Sequence, residues 1–342
     1  MRPMRIAILG YGKIAEDQHV PSIAADPRFE LAAVSSRSGQ GPEPVFKDWR
    51  ELIHEVEGLD AVAITTPPAP RYEIARECIL NDLHCLLEKP PSDGLSEIAD
   101  LDLPAQTHGV SIYTTWHAQH HSTVDAAERV LAGKRIKTMK ITWHEDVHKW
   151  HPGQTWIWDP GGFGVFDPGI NAFSIATKVF PGALLVKAAD LLIPENAQTP
   201  IAADITFASP DADGPLTASL DWRRTEGEEW TIEIEATDGT KVRLEEGGSR
   251  LHLNGTLHAD EGPGEYPDIY ARFADFIDEH RSHVDVAPLR LVADCLLAGR
   301  RKMVEPLTMY PLTAVGTRSR RMRNEVAGVC VNRGTLDGRY RG

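Results

Sequence analysis

Arg5-Ile6-Ala7-Ile8-Leu9-Gly10-Tyr11-Gly12-Lys13-Ile14-Ala15 is the stretch whose reading decides the fold. After one cation it runs apolar to residue 9, as a strand buried on both faces does. It then enters a G-x-G-x-x-A turn, and from 14 to 25 apolar residues recur at helical spacing. In a strand–turn–helix, the glycines permit a tight turn and let a pyrophosphate approach the backbone. The helix N-terminus adds N–H donors and partial positive charge. Gly10, Gly12, Lys13 and Ile14 are therefore candidate dinucleotide contacts. The same letters outside this context would mark only a tight turn.

Working outward, apolar runs at 29–35, 61–66, 84–87 and 110–114 alternate with helical patterns at 71–81 and 95–108. Strand–helix alternation with short links predicts an α/β fold: a Rossmann, doubly wound parallel sheet over residues 1–121. The end of its second strand carries Ser35-Ser36-Arg37-Ser38 and no acid to hold ribose hydroxyls. Ser36 and Arg37 can receive a 2′-phosphate, which favours NADP; a guanidinium stacked on adenine is compatible with NAD as well. Thr66 and Pro67, and then Glu88-Lys89-Pro90, end further strands at the carboxyl edge where such sheets bind ligands, and join the cofactor set. A lysine there can hydrogen-bond a reacting hydroxyl and help carry its proton away.

Past residue 121 the pattern changes. A helix is expected at 122–132, then alternating strands at 137–143, 184–193, 202–208, 216–222, 231–236 and 241–244, divided by turns such as Asp238-Gly239 and Asn254-Gly255. This predicts a second α/β domain, 122–305, on a largely antiparallel open sheet, with helices at 168–179, 269–280 and 289–303. From 318 onward seven arginines face only Glu325 and Asp337, so 306–342 reads as a disordered tail or as residues foreign to the fold. With 42% hydrophobic and 25% charged residues the 342-residue chain suits two soluble domains. A formal net charge of -14 argues against a nucleic-acid or anionic-membrane face. The scattered Cys78, Cys85, Cys295 and Cys330 offer no zinc spacing and suit a reducing compartment. With no run long enough to span a bilayer, a cytoplasmic protein without a metal is expected.

The turn at 10–15, Glu88-Lys89-Pro90, and Gly161-Gly162 followed by Asp167-Pro168-Gly169-Ile170-Asn171 together resemble the signature set of the glucose–fructose oxidoreductase/inositol dehydrogenase (Gfo/Idh/MocA) family, over nearly the whole chain to about residue 305. The resemblance implies a nicotinamide-dependent oxidoreductase whose open C-terminal sheet supports a homo-oligomer, a dimer or tetramer. Asn171 stands where the family usually carries histidine, which shifts a general-base role towards Asp167 or Lys89.

A narrower stretch, Trp143-His144-Glu145-Asp146 through Trp150-His151-Pro152-Gly153-Gln154-Thr155-Trp156-Ile157-Trp158, resembles the family's aldose 1-dehydrogenases for L-arabinose and D-galactose. That likeness implies catalytic roles for Lys89, Asp167 and Asn171 and oxidation of a sugar at C1. It also implies sugar contacts by His117, Glu145, Trp150 and Trp230, with His151, Asp167 and Asn171 in the same pocket. Sugars favour flat apolar surfaces beside carboxylates and amides, and four tryptophans between 143 and 158 supply the surfaces. Some of these indoles are expected simply to fill the interior. His144-Glu145-Asp146-Val147-His148 spells a zinc-protease motif, but that chemistry needs both histidines on one helix and here a strand is expected. Two rival readings are a catalytically silent NAD(P)-binding regulator and another sugar or polyol oxidoreductase of the family.

Overall fold

The computed structural model describes residues 2–258, 262 and 264–308; most of the expected tail lies outside them. The first part runs β1 (Met4–Leu9), a wide helical turn over Ala15–His19 leading into α1 (Val20–Ala25), β2 (Phe29–Ser35), β3 (Val45–Phe46), α2 (Trp49–Glu55), β4 (Ala61–Ile64), α3 (Arg71–Leu80), β5 (His84–Leu87), α4 (Leu95–His108) and β6 (Ile112–Thr114). Among the described residues its six strands pair in parallel, in the order β3-β2-β1-β4-β5-β6. This is the Rossmann order, with its switch point between β1 and β4. The turn after the glycines is wide because Val20 N–H reaches back five residues to the Ala15 carbonyl. Pro21, next in line, has no N–H with which to continue the ordinary ladder.

The second part runs α5 (Ser122–Leu131), β7 (Ile136–His144), α6 (Val147–Trp150), α7 (Phe166–Val179), β8 (Leu185–Pro194), β9 (Ala202–Ala208), β10 (Leu216–Asp221), β11 (Glu229–Ala236), β12 (Lys241–Glu245), β13 (Arg250–Leu253), β14 (Thr256–His258), α8 (Glu265–Asp278), α9 (Ala287–Ala298) and β15 (Arg300–Val304). Its nine described strands lie in the order β14-β13-β12-β11-β7-β10-β9-β8-β15. They are mostly antiparallel, with β10 on β7 and β15 on β8 parallel. α7 covers the inner face; Ile141, Leu220, Ile232 and Phe173 are among the residues buried there. No helix among the described residues is long and apolar enough to cross a membrane.

Two expectations need correction. The helix expected at 289–303 stops at Ala298, and Gly299 turns the chain into β15 along β8. The helix expected at 269–280 does not belong to the second sheet. As α8 it returns to the first sheet, where Tyr266, Ile269, Tyr270 and Phe273 pack against Ile6, Ile8, Phe29 and Leu86. The opposite face of that sheet packs against α2, α3 and α4. Both faces of β1 are thus buried, which is why its apolar run is continuous. Through Leu307 the chain forms one compact unit.

Candidate active site

Gly10 has φ +103°, and a Cβ there would lie 2.9 Å from the Thr66 backbone nitrogen, so no other residue fits the turn. Its carbonyl accepts from the Thr65 hydroxyl at 2.7 Å, and both Gly10 and Tyr11 donate to the Ser35 carbonyl. At Gly12 a Cβ would come no nearer than 4.0 Å to its closest neighbour, the Gly10 carbonyl oxygen, leaving the helix N-terminus approachable. Thr66 Oγ1, beside the turn, is buried with no hydrogen-bond partner among the described residues. An open backbone cradle with an orphaned hydroxyl fits a dinucleotide. Ser36 is buried at the end of β2, its hydroxyl 2.9 Å from that of Ser38, and Arg37 and Pro67 are exposed. Ile14 is also exposed, and Lys13 leans along the helix to Asp17, 2.5 Å away.

The ends of β4 and β5 are tied together by Arg71, a residue sequence reasoning passed over. Its guanidinium is almost wholly buried and donates to the carbonyls of Thr66, Glu88 and Pro90. Burial pushes its pKa down to about 10, so it remains a cation at neutral pH. A signal existed: a cation in the first turn of α3 is disfavoured by the helix dipole and so needs other partners. Glu88, buried next door, takes the Lys89 backbone N–H at 2.9 Å and the Tyr266 hydroxyl at 2.7 Å. His19 Nε2 lies 3.1 Å from the same carboxylate, and His19 Nδ1 2.8 Å from the Tyr270 hydroxyl. Burial alone would raise the Glu88 carboxyl, but the hydrogen bond and charge of His19, with His117 and Arg71, hold it at about 2. Neither His19 nor the two tyrosines carried any local sequence signal, since α8 brings the tyrosines from far along the chain.

From this scaffold Lys89 reaches across to α7. Its Nζ lies 3.0 Å from the Asp167 carbonyl and 3.3 Å from Asp167 Oδ1. His151 Nε2 lies 3.4 Å from the other oxygen, Oδ2. Asn171 follows one turn along α7, on the same face. Gly161-Gly162 closes the loop before α7; a Cβ on Gly162 would collide with the Trp156 and Ile157 carbonyls.

Glu145 follows directly on β7, buried, each oxygen taking one indole N–H at 2.8 Å: Trp222 on Oε1 and Trp230 on Oε2. Burial raises its carboxyl although both indoles favour the anion. Trp222, not singled out from sequence, carries the His151 ring at 5.0 Å and Trp158 at 5.4 Å. Trp150 is partly exposed and donates to Glu228 at 2.6 Å, with Trp230 edge-on at 5.8 Å. Trp143 is buried. His117 stacks on Tyr266 at 5.9 Å and meets Glu265 at 3.0 Å. Burial works against its charged form, yet Glu265 raises it above its ordinary value.

The zinc-like motif divides between two elements. His144 ends β7 and meets the Ser219 hydroxyl at 3.1 Å, while His148, on α6 rather than a strand, meets Asp146 at 2.9 Å. A cavity of about 670 Å³ on the outer face of the second sheet, lined by Lys140, Glu233 and Arg243, contains none of the residues above.

Residues 4–115 match a protein family described as an oxidoreductase family with an NAD-binding Rossmann fold. The chain is 40% identical over 306 residues to a galactose 1-dehydrogenase of Pseudomonas fluorescens, covering 89% of this chain and 99% of that protein. Among solved structures it is similar to a D-galactose-1-dehydrogenase from Rhizobium etli, with TM-score 0.84 and 43% identity, over 90% of this chain and 99% of that one. A 3-ketoreductase from Actinomadura kijaniata, solved with NADP, shares the fold at TM-score 0.71 and 16% identity, over 88% and 99% of the two chains.

Proposed function

Because the chain belongs to the Gfo/Idh/MocA family of NAD-binding oxidoreductases, we propose that it oxidises an aldopyranose at C1 to the lactone, using NADP⁺ or NAD⁺. The observation that carries this reading is the Asp167 carboxylate held between Lys89 and His151 at the carboxyl edge of the first sheet. The galactose dehydrogenase likeness over nearly the full length supports the sugar class. L-Arabinose, D-galactose and D-fucose are the candidate substrates. They share ring stereochemistry from C1 to C4 and differ at C5, so a pocket reading the shared hydroxyls separates them weakly.

Gly10, Gly12, Ile14, Ser36, Arg37, Thr66 and Pro67 would hold the dinucleotide, and its nicotinamide ring would supply the hydride acceptor. The chain's own part is orientation and proton handling. Lys89, fixed at its backbone by Glu88, donates towards the C1 oxygen. Asp167 accepts the hydroxyl proton and Asn171, one turn away, holds the same hydroxyl. Glu145, with Trp150, Trp230 and His117, lines the sugar side.

The test is reduced-nicotinamide formation with NADP⁺ or NAD⁺ and a panel of L-arabinose, D-galactose, D-fucose, D-glucose, D-xylose and myo-inositol. Turnover is expected with the first three. Cofactor binding with no turnover on any sugar would overturn the reading in favour of a silent regulator, and turnover on myo-inositol alone would move it to polyol oxidation.

A further inference from the structure

Asp167 faces two basic groups, and the two contacts differ in kind. Lys89 Nζ, 3.3 Å from Oδ1, has protons to give. The His151 ring has its Nδ1 3.3 Å from the Gln154 amide oxygen. With that oxygen as the partner, the arrangement selects the tautomer in which Nδ1 carries the ring proton and Nε2 keeps its lone pair, and the first experiment below tests that tautomer. Nε2 lies 3.4 Å from Asp167 Oδ2. In that tautomer two acceptors stand 3.4 Å apart, and one proton would bridge them.

We propose that Asp167 and His151 together form the seat for the proton leaving the substrate hydroxyl, and that His151 passes it on to water. This rests on the sugar-oxidation reading above and adds His151, there a pocket residue, to the proton-handling groups. In the step, the C1–H bond leaves with its electron pair for the bound cofactor. The O1–H pair becomes the second C1–O bond of the lactone, and the freed proton enters the seat.

Exposure explains why a second group is needed. The Asp167 side chain is 8% exposed and cannot discharge to solvent, whereas that of His151 is 17% exposed. Burial holds the imidazole below its ordinary value, against the pull of Asp167, which favours the neutral ring at rest. The other charged groups facing the pair are Lys89 from the end of β5, Glu145 from just after β7 and Arg71 from α3. Trp222 packs the ring in place.

Two experiments separate this from a sugar contact. Nitrogen NMR of labelled histidine in the ligand-free protein is expected to show the Nδ1–H tautomer of His151 at neutral pH, with a titration that moves down in Asp167→Asn. An Nε2–H tautomer, or no movement, would overturn the proposal without reference to any substrate. In turnover, His151→Ala is expected to lose about tenfold or more in kcat, within the range of general base catalysis, with cofactor affinity kept. Its acid limb should move to lower pH, towards that of a lone carboxylate, and added imidazole should restore rate. A raised sugar KM with kcat and pH profile unchanged would make His151 a sugar contact alone. A wild-type protein inert towards every sugar would instead sink the sugar-oxidation reading, while the tautomer and titration still decide the proton seat.

Discussion

Arg37 stands exposed at the carboxyl end of β2, where a 2′-phosphate would lie. A charge-assisted hydrogen bond contributes about 1.5–3 kcal/mol. Arg37→Ala is therefore expected to raise the KM for NADP⁺ about tenfold or more and to leave that for NAD⁺ nearly unchanged. Equal effects on both cofactors, in steady-state assays, would mean the guanidinium only stacks on adenine. Glu145 shows how far a residue's setting departs from its letter. Sequence marked it as a hydroxyl ligand, and the fold gives each of its oxygens an indole N–H first. One lone pair per oxygen is left for a sugar, in a direction the indoles fix.

At the scale of elements, the site is held by the junction of β4, β5 and α3. Arg71 joins them by satisfying three carbonyls, one at the end of β4 and two astride Lys89. Each buried acceptor left unpaired costs about 1–3 kcal/mol. Arg71→Met is thus expected to destabilise by several kcal/mol, on the order of 3 or more, and to lower kcat because Lys89 loses its aim. Arg71→Lys should recover only part, a point donor being unable to span three acceptors. Thermal melts and turnover on the same preparations check this; an unchanged melting temperature in Arg71→Met would refute the clamp. The helix 95–108 was legible through Pro104, since its apolar spacing continued and Gly109, at φ +67°, marked its end. β13 and β14 were not legible as strands, although the turn between them was, because each is short and partly exposed.

For the whole molecule, the linear division at residue 121 and the spatial one differ. α8 comes from beyond residue 264 yet covers one face of the first sheet, with Phe29 stacked on Phe273 at 6.1 Å and Tyr270 edge-on at 5.4 Å. A fragment 1–121 would strip the α8 cover from Ile6, Ile8, Phe29 and Leu86, leaving only the short α1 and the helical turn before it on that face. It is expected to bind a hydrophobic dye and to aggregate, where residues 1–308 melt cooperatively. A fragment 1–121 that is monomeric and melts cooperatively would show that α8 is dispensable to the first sheet.

The local pattern of the sequence determined what depends on neighbours along the chain: the buried strands of the first sheet, the glycine turn with its fixed φ, the alternating strands of the second, and the edge on which Lys89 falls. These follow from sterics and from burial periodicity, which act over a few residues. Only the tertiary structure decided which groups meet: Arg71 with three carbonyls, Tyr266 and His19 with Glu88, and His151 with Asp167. Such contacts join residues separated by up to 251 positions, as His19 and Tyr270 are. A buried polar group must find its partner wherever packing brings one, and no spacing in the chain encodes that meeting.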